Sequence, residues 1–197
     1  MKDFFVNNYN KCWKFAIECR WFFVFAFGLF ALMFLIGFAF PVFFRAEIFE
    51  MIEKLILEIE GLGTIELIGF IFLNNLTASF MAFVLGIGLG VLPMITCVIN
   101  GYLLGFVARE AVTVDGIFVM WRIFPHGVFE LPAIIFSIGM GLRLGTSWLG
   151  VRSWGLGDKN KGMGYVFREG LRFFVFVVVP LLVVAGIIEG VLIGFSF

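Results

Sequence analysis

The sequence predicts an all-α, polytopic membrane helix bundle: five transmembrane helices, an amphipathic extracytoplasmic helix, and a short re-entrant or interfacial helix. Three observations predict it. First, 62% of the 197 residues are hydrophobic and only 14% charged, with a mean hydropathy of +1.09. A soluble domain is roughly 45–50% apolar and about 25% charged, so no aqueous fold of this size hides the surplus. Second, uncharged apolar runs recur at lengths close to the roughly 20 residues that a bilayer requires. Third, the chain holds 29 Phe and 24 Gly, the former suited to acyl chains and the latter to close helix approach. The net charge is zero, which argues against nucleic acid as a partner. No long repeat or low-complexity tract divides the chain, so residues 1–197 read as one integral membrane domain.

The elements follow in order. Residues 1–20 mix Lys2, Lys11, Lys14 and Arg20 with aromatic residues and read as an interfacial helix. Trp21 to Phe44 is uncharged, with Pro41 near its exit, and is the first span. Ile48, Ile52, Leu55, Ile59 and Leu62 then step by three and four among Glu47, Glu50, Glu53, Glu58 and Glu60. That spacing places an acidic amphipathic helix over 45–66, ended by Gly61 and Gly63. Its acidity disfavours anionic headgroups and suits a protein partner.

The second span covers about Leu67 to Leu92 and includes Asn74 and Asn75, with Pro93 turning the chain. The third covers about Met94 to Ala108, with Asn100 inside and Arg109-Glu110 at its end. Val114 to Phe124 is too short to span, holds Arg122, and reads as the interfacial or re-entrant piece. Pro125 suits a first helical position, so the fourth span is Pro125 to Leu144. A polar stretch rich in Gly and basic residues (145–170) leads to the fifth, Leu171 to Phe197, which carries Glu189. Small-xxx-small spacings recur at Gly86/Gly90, Gly101/Gly105, Gly141/Gly145 and Gly186/Gly190, the pattern of tightly packed helices.

Five spans put the N-terminus and the 145–170 loop on one side, together with ten of the fourteen Lys and Arg. The positive-inside rule then places the N-terminus in the cytoplasm and the C-terminus outside a plasma membrane. Span direction brings Asn74, Asn75, Glu130 and Glu189 to one level beneath the outer face, with His126 beside them. Arg109, Glu110 and Arg122 form a charged rim, and Asn100 lies deeper. His126 and Glu130 project from one helical face, one turn apart.

Three readings of that polar cluster stand. It is structural, with interhelical hydrogen bonds each contributing about 1 kcal/mol. It is a solute or ion site at a broken helix, with His126 able to relay a proton to Glu130. Or it is a metal-dependent hydrolase centre using His126, Glu130 and Glu189. Against the last, a catalytic zinc usually has three ligands, often two of them histidines, and His126 is the only one. No HExxH, GxSxG or Walker pattern is present. Cys12, Cys19 and Cys97 lack metal-type spacing and read as packing residues. No catalytic residue, metal or cofactor is expected.

Pro125-His126-Gly127 followed by Glu130-Leu131-Pro132-Ala133 resembles the stage II sporulation protein M family. The Asn74-Asn75 pair, the Gly-rich run to Pro93 and Asn100-Gly101 follow the same order. The resemblance covers roughly residues 45–197. It implies a multi-spanning membrane protein and, in spore formers, a scaffold that recruits cell-wall hydrolases to the engulfing septum. Relatives also occur in organisms that form no spores, so it implies topology more firmly than role. The composite expectation is a non-enzymatic membrane scaffold or complex subunit, meeting another membrane protein or a second copy of itself as a dimer.

Overall fold

A computed structural model describes residues 2–148 and 162–194, with the side chains of 121–126, 148 and 190–194 outside that description. The fold is an all-α bundle, and five helical segments are long and apolar enough to cross a membrane. Helix α1 is one uninterrupted rod from Lys2 to Ala39, joining the sequence-predicted interfacial stretch to the first span. At about 57 Å it is nearly twice the hydrocarbon thickness. It stops before Pro41, as the residue preceding a proline is pushed out of the helical region. The Tyr102 hydroxyl accepts from the Phe43 N–H at 3.1 Å and lies 3.0 Å from the Phe40 carbonyl, to which it donates. Those backbone groups would otherwise be orphaned at the helix end.

Helix α2 runs from Arg45 to Ile59. Gly61, at φ 85°, reverses the chain, a conformation that a Cβ would penalise. Helix α3, Thr64–Val84, starts where Glu66 accepts the Gly63 N–H at 2.9 Å, and it continues into a 3-10 turn, Leu85–Ile87. Helix α4 is Val91–Asp115, so Pro93 lies in its first turn, where a missing N–H is harmless. After a 3-10 turn at Ile117–Val119, α5 runs from Met120 to Trp148. The helix therefore begins five residues before Pro125, which lies in its second turn rather than at its first position. Helix α6, Met163–Phe173, passes through a π segment, Phe174–Val178, into α7, Val179–Gly194. Pro180 explains the wide turn: it cannot donate to the Phe176 carbonyl and its ring crowds it.

Glycine contacts set the relative directions. Gly101 and Gly105 of α4 meet Phe30 and Phe34 of α1, and Gly37 of α1 meets Tyr102, so α1 and α4 run parallel. Gly86 meets Gly141, and Gly145 meets Gly90, which binds the end of α3 to α5. At these places a Cβ would collide with backbone. Phe15, Phe23, Phe136 and Phe173 interlock α1, α5 and α6, with the Phe23 and Phe136 rings 4.9 Å apart. Phe4, Phe5 and Tyr9 gather on Phe176 while Glu18 meets Tyr165. The first half of α1 thus crosses α6 instead of projecting past it.

Candidate functional site

Of the polar residues singled out in the sequence, Asn74, Asn75, Glu130 and Glu189 fall on three mutually packed helices, α3, α5 and α7, and Asn100, Arg109 and Glu110 fall on α4. Asn75, Ser79, Ala82 and Gly86 lie four, seven and eleven residues along α3, on one face. Glu130, Ile134, Ser137 and Gly141 repeat that spacing on α5. The two stripes meet at the Gly86–Gly141 contact. Both helices run in the same direction, so Asn75 and Glu130 each lie about 16 Å before that contact, at one level. Both are half-buried. Between them and the glycines, Ser79 and Ser137 are buried, and the Ser137 hydroxyl donates to the Ala133 carbonyl at 2.9 Å.

Glu189 lies elsewhere along the axis. Gly186 rests against Ile68 and Phe72 of the antiparallel α3, so Glu189 sits towards the start of α3 and Asn75 towards its middle. The offset is about 12 Å. Asn74 is exposed, a hundred degrees round the helix from Asn75. Asn100 is bonded locally: its amide donates to the Thr96 carbonyl at 2.8 Å. Of the charged rim, Arg45 Nη1 and Nη2 donate to Glu110 Oε1 and Oε2 at 2.8 Å each, and Arg109 stacks over Phe38 at 5.6 Å. The side chains of Arg122 and His126, and Gly190, lie outside the described residues, as does the basic loop over 149–161. Among the described residues, no three of His, Cys, Asp and Glu converge as a metal site. The three thiols are buried and separate. The close-packing glycines divide by partner: Gly86 and Gly90 serve α5, Gly101 and Gly105 serve α1, and Gly186 makes an ordinary contact with α3.

A second polar site was missed in the sequence. Lys11, Lys14 and Glu18 of α1 face Tyr165, Arg168, Glu169 and Arg172 of α6 across a cleft of about 440 Å³. Glu169 is buried and binds Arg172, and Arg168 Nε donates to it at 3.3 Å. Tyr165 donates towards the Glu18 carboxylate at 3.4 Å. A carboxylate buried this deeply requires charged partners, and the two arginines supply them. The signal was the spacing Lys11–Lys14–Glu18 against Tyr165–Arg168–Glu169–Arg172, which sets each group on one helix face. Nearby, Arg143 is buried in α5 with its guanidinium 5.8 Å over the Phe22 ring.

Comparison with known proteins bears on the whole bundle. Uncharacterized protein MJ0706 of Methanocaldococcus jannaschii is 28% identical over 118 residues, which is 59% of this chain and 51% of that protein. The chain thus spans about half the length of this curated relative. No solved structure matches. The family model described as Stage II sporulation protein M matches residues 21–192, which takes in the α3–α5–α7 cluster and the α6 half of the cleft, while Lys11, Lys14 and Glu18 precede it. The chain belongs to the stage II sporulation protein M family.

Proposed function

We propose that this membrane protein is a non-enzymatic scaffold or complex subunit, and that α2 is its partner-docking surface. The observation that carries the reading is how α2 is held. Its first turn is anchored: Arg45 pairs with Glu110, Ile48 is buried, and Phe49 meets the edge of Phe106 at 5.7 Å. Beyond that turn, Met51, Leu55, Ile56 and Leu57 stay exposed. Exposed apolar side chains grouped on one element mark an interaction surface. Glu47, Glu53, Glu58 and Glu60 surround them, which disfavours anionic lipid and fits a protein partner with apolar anchors and a basic rim. The partner is another membrane protein or a second copy of the chain.

A photo-crosslinking residue at Leu57 tests this in native membranes, with Leu35 of α1 as the comparison. Leu35 is exposed along the middle of a span and should give lipid adducts alone. Leu57 should give a discrete protein adduct. Lipid adducts alone at Leu57 would sink the docking assignment.

A further inference from the structure

We propose that the cleft between α1 and α6 binds the headgroup of an anionic phospholipid. Lys11, Lys14, Arg168 and Arg172 line it against two carboxylates, Glu18 and Glu169, an excess of two positive charges. Both carboxylates are already engaged. Glu169 aligns Arg168 and Arg172, and Glu18 accepts from Tyr165. Among the described residues, neither Lys11 nor Lys14 takes part in an ion pair. Two ammonium groups that form no ion pair among the described residues, next to two oriented guanidiniums, match the donor set that a phosphodiester recruits.

A lipid suits the cleft better than free phosphate because of what lies beside it. The α1 face that carries Lys11, Lys14 and Glu18 continues at helical spacing into Trp21, Phe25 and Leu32. All three are exposed. The uncharged run begins at Trp21, and Lys14 precedes it by about 10 Å along α1, which suits a headgroup beside an acyl chain. Exposed Tyr9, Trp13 and Trp21 are the aromatic types enriched at that level. A bound phospholipid would place its phosphate among the four cations and an acyl chain along the Trp21–Phe25–Leu32 face. Basic pockets between membrane helices are a general route to headgroup recognition.

Native mass spectrometry of the full chain, released from nanodiscs of mixed phosphatidylglycerol and phosphatidylcholine, tests the proposal. Phosphatidylglycerol should be retained in preference to phosphatidylcholine. Lys11→Gln with Lys14→Gln should weaken that retention roughly 25-fold, about fivefold for each cation removed at a membrane surface. Neither lysine forms an ion pair among the described residues, so the double variant should keep the wild-type melting temperature in phosphatidylcholine alone. Lys54→Gln, on α2, should leave retention unchanged. Equal loss with Lys54→Gln would mean diffuse electrostatics and would overturn the site. Full displacement of phosphatidylglycerol by millimolar inorganic phosphate would reassign the cleft to free phosphate. Retention of an acidic peptide with no lipid preference would likewise reject it.

Discussion

Replacing Gly101 by Ala probes the α1–α4 contact directly. A Cβ there would lie 2.8 Å from the Phe30 carbonyl oxygen and 3.0 Å from the Met33 Cβ. Ordinary contact needs about 3.4 Å or more, so α1 and α4 must separate by roughly 0.5 Å. The obstacle is backbone and cannot rotate away. Overpacking of this kind destabilises by about 1–3 kcal/mol, while Ala regains about 0.5–1 kcal/mol of helix propensity over Gly. The net loss is up to about 2.5 kcal/mol. For a chain of this length, that lowers the melting temperature by up to roughly 10 °C. Gly28→Ala is the internal control: on the same helix pair, nothing lies within 4 Å of the added Cβ, so only the propensity gain remains and the melting temperature should hold or rise. Gly105→Ala, facing the Phe34 carbonyl and the Phe38 amide, should be worse than Gly101→Ala. Intrinsic tryptophan fluorescence on heating in detergent reads all three. If Gly101→Ala and Gly105→Ala both melt at or above the wild type, the close approach of these helices is wrong.

Three further outcomes follow from the same contacts. Glu110→Gln should lower global stability by no more than about 1 kcal/mol, because the Arg45 side chain is half exposed. Amide exchange over α2 should nonetheless quicken, since the pair anchors its first turn; unchanged exchange would show that another contact holds it. Glu130→Gln should lower the melting temperature by roughly 2–4 °C, the equivalent of about 1 kcal/mol for one interhelical polar contact. Unchanged stability together with loss of solute binding would favour a transport site instead. The inferred orientation can be read with a membrane-impermeant maleimide: Lys54→Cys should label in intact cells, and Met163→Cys only after permeabilisation. The native thiols are buried and should stay silent, so the reverse pattern would invert the topology.

Membrane partition, the number of apolar helices and the amphipathic α2 were all legible in the amino-acid order. Of the stripe that the spacing marked on the α2 segment, Ile48 is buried and Ile52, Ile59 and Leu62 are half-buried, whereas Leu55 is exposed. Hydropathy and helical period are local quantities, set by residues within a few turns of each other. Cap positions were less legible. Pro125 had the chemistry of a first helical residue, yet α5 starts at Met120.

The tertiary structure alone decided which polar groups share a level. Span directions suggested that Asn75, Glu130 and Glu189 coincide. The Gly86–Gly141 contact levels the first two, and the contact of Gly186 with Ile68 and Phe72 displaces the third by about 12 Å. Axial register between helices is set by where their backbones touch, and small residues at spacings of four mark candidates for that touch without naming the partner. The cleft at Lys11, Lys14, Arg168 and Arg172 was hidden for the same reason. Its two halves lie some 150 residues apart, and only the crossing of α1 over α6 brings their charges face to face.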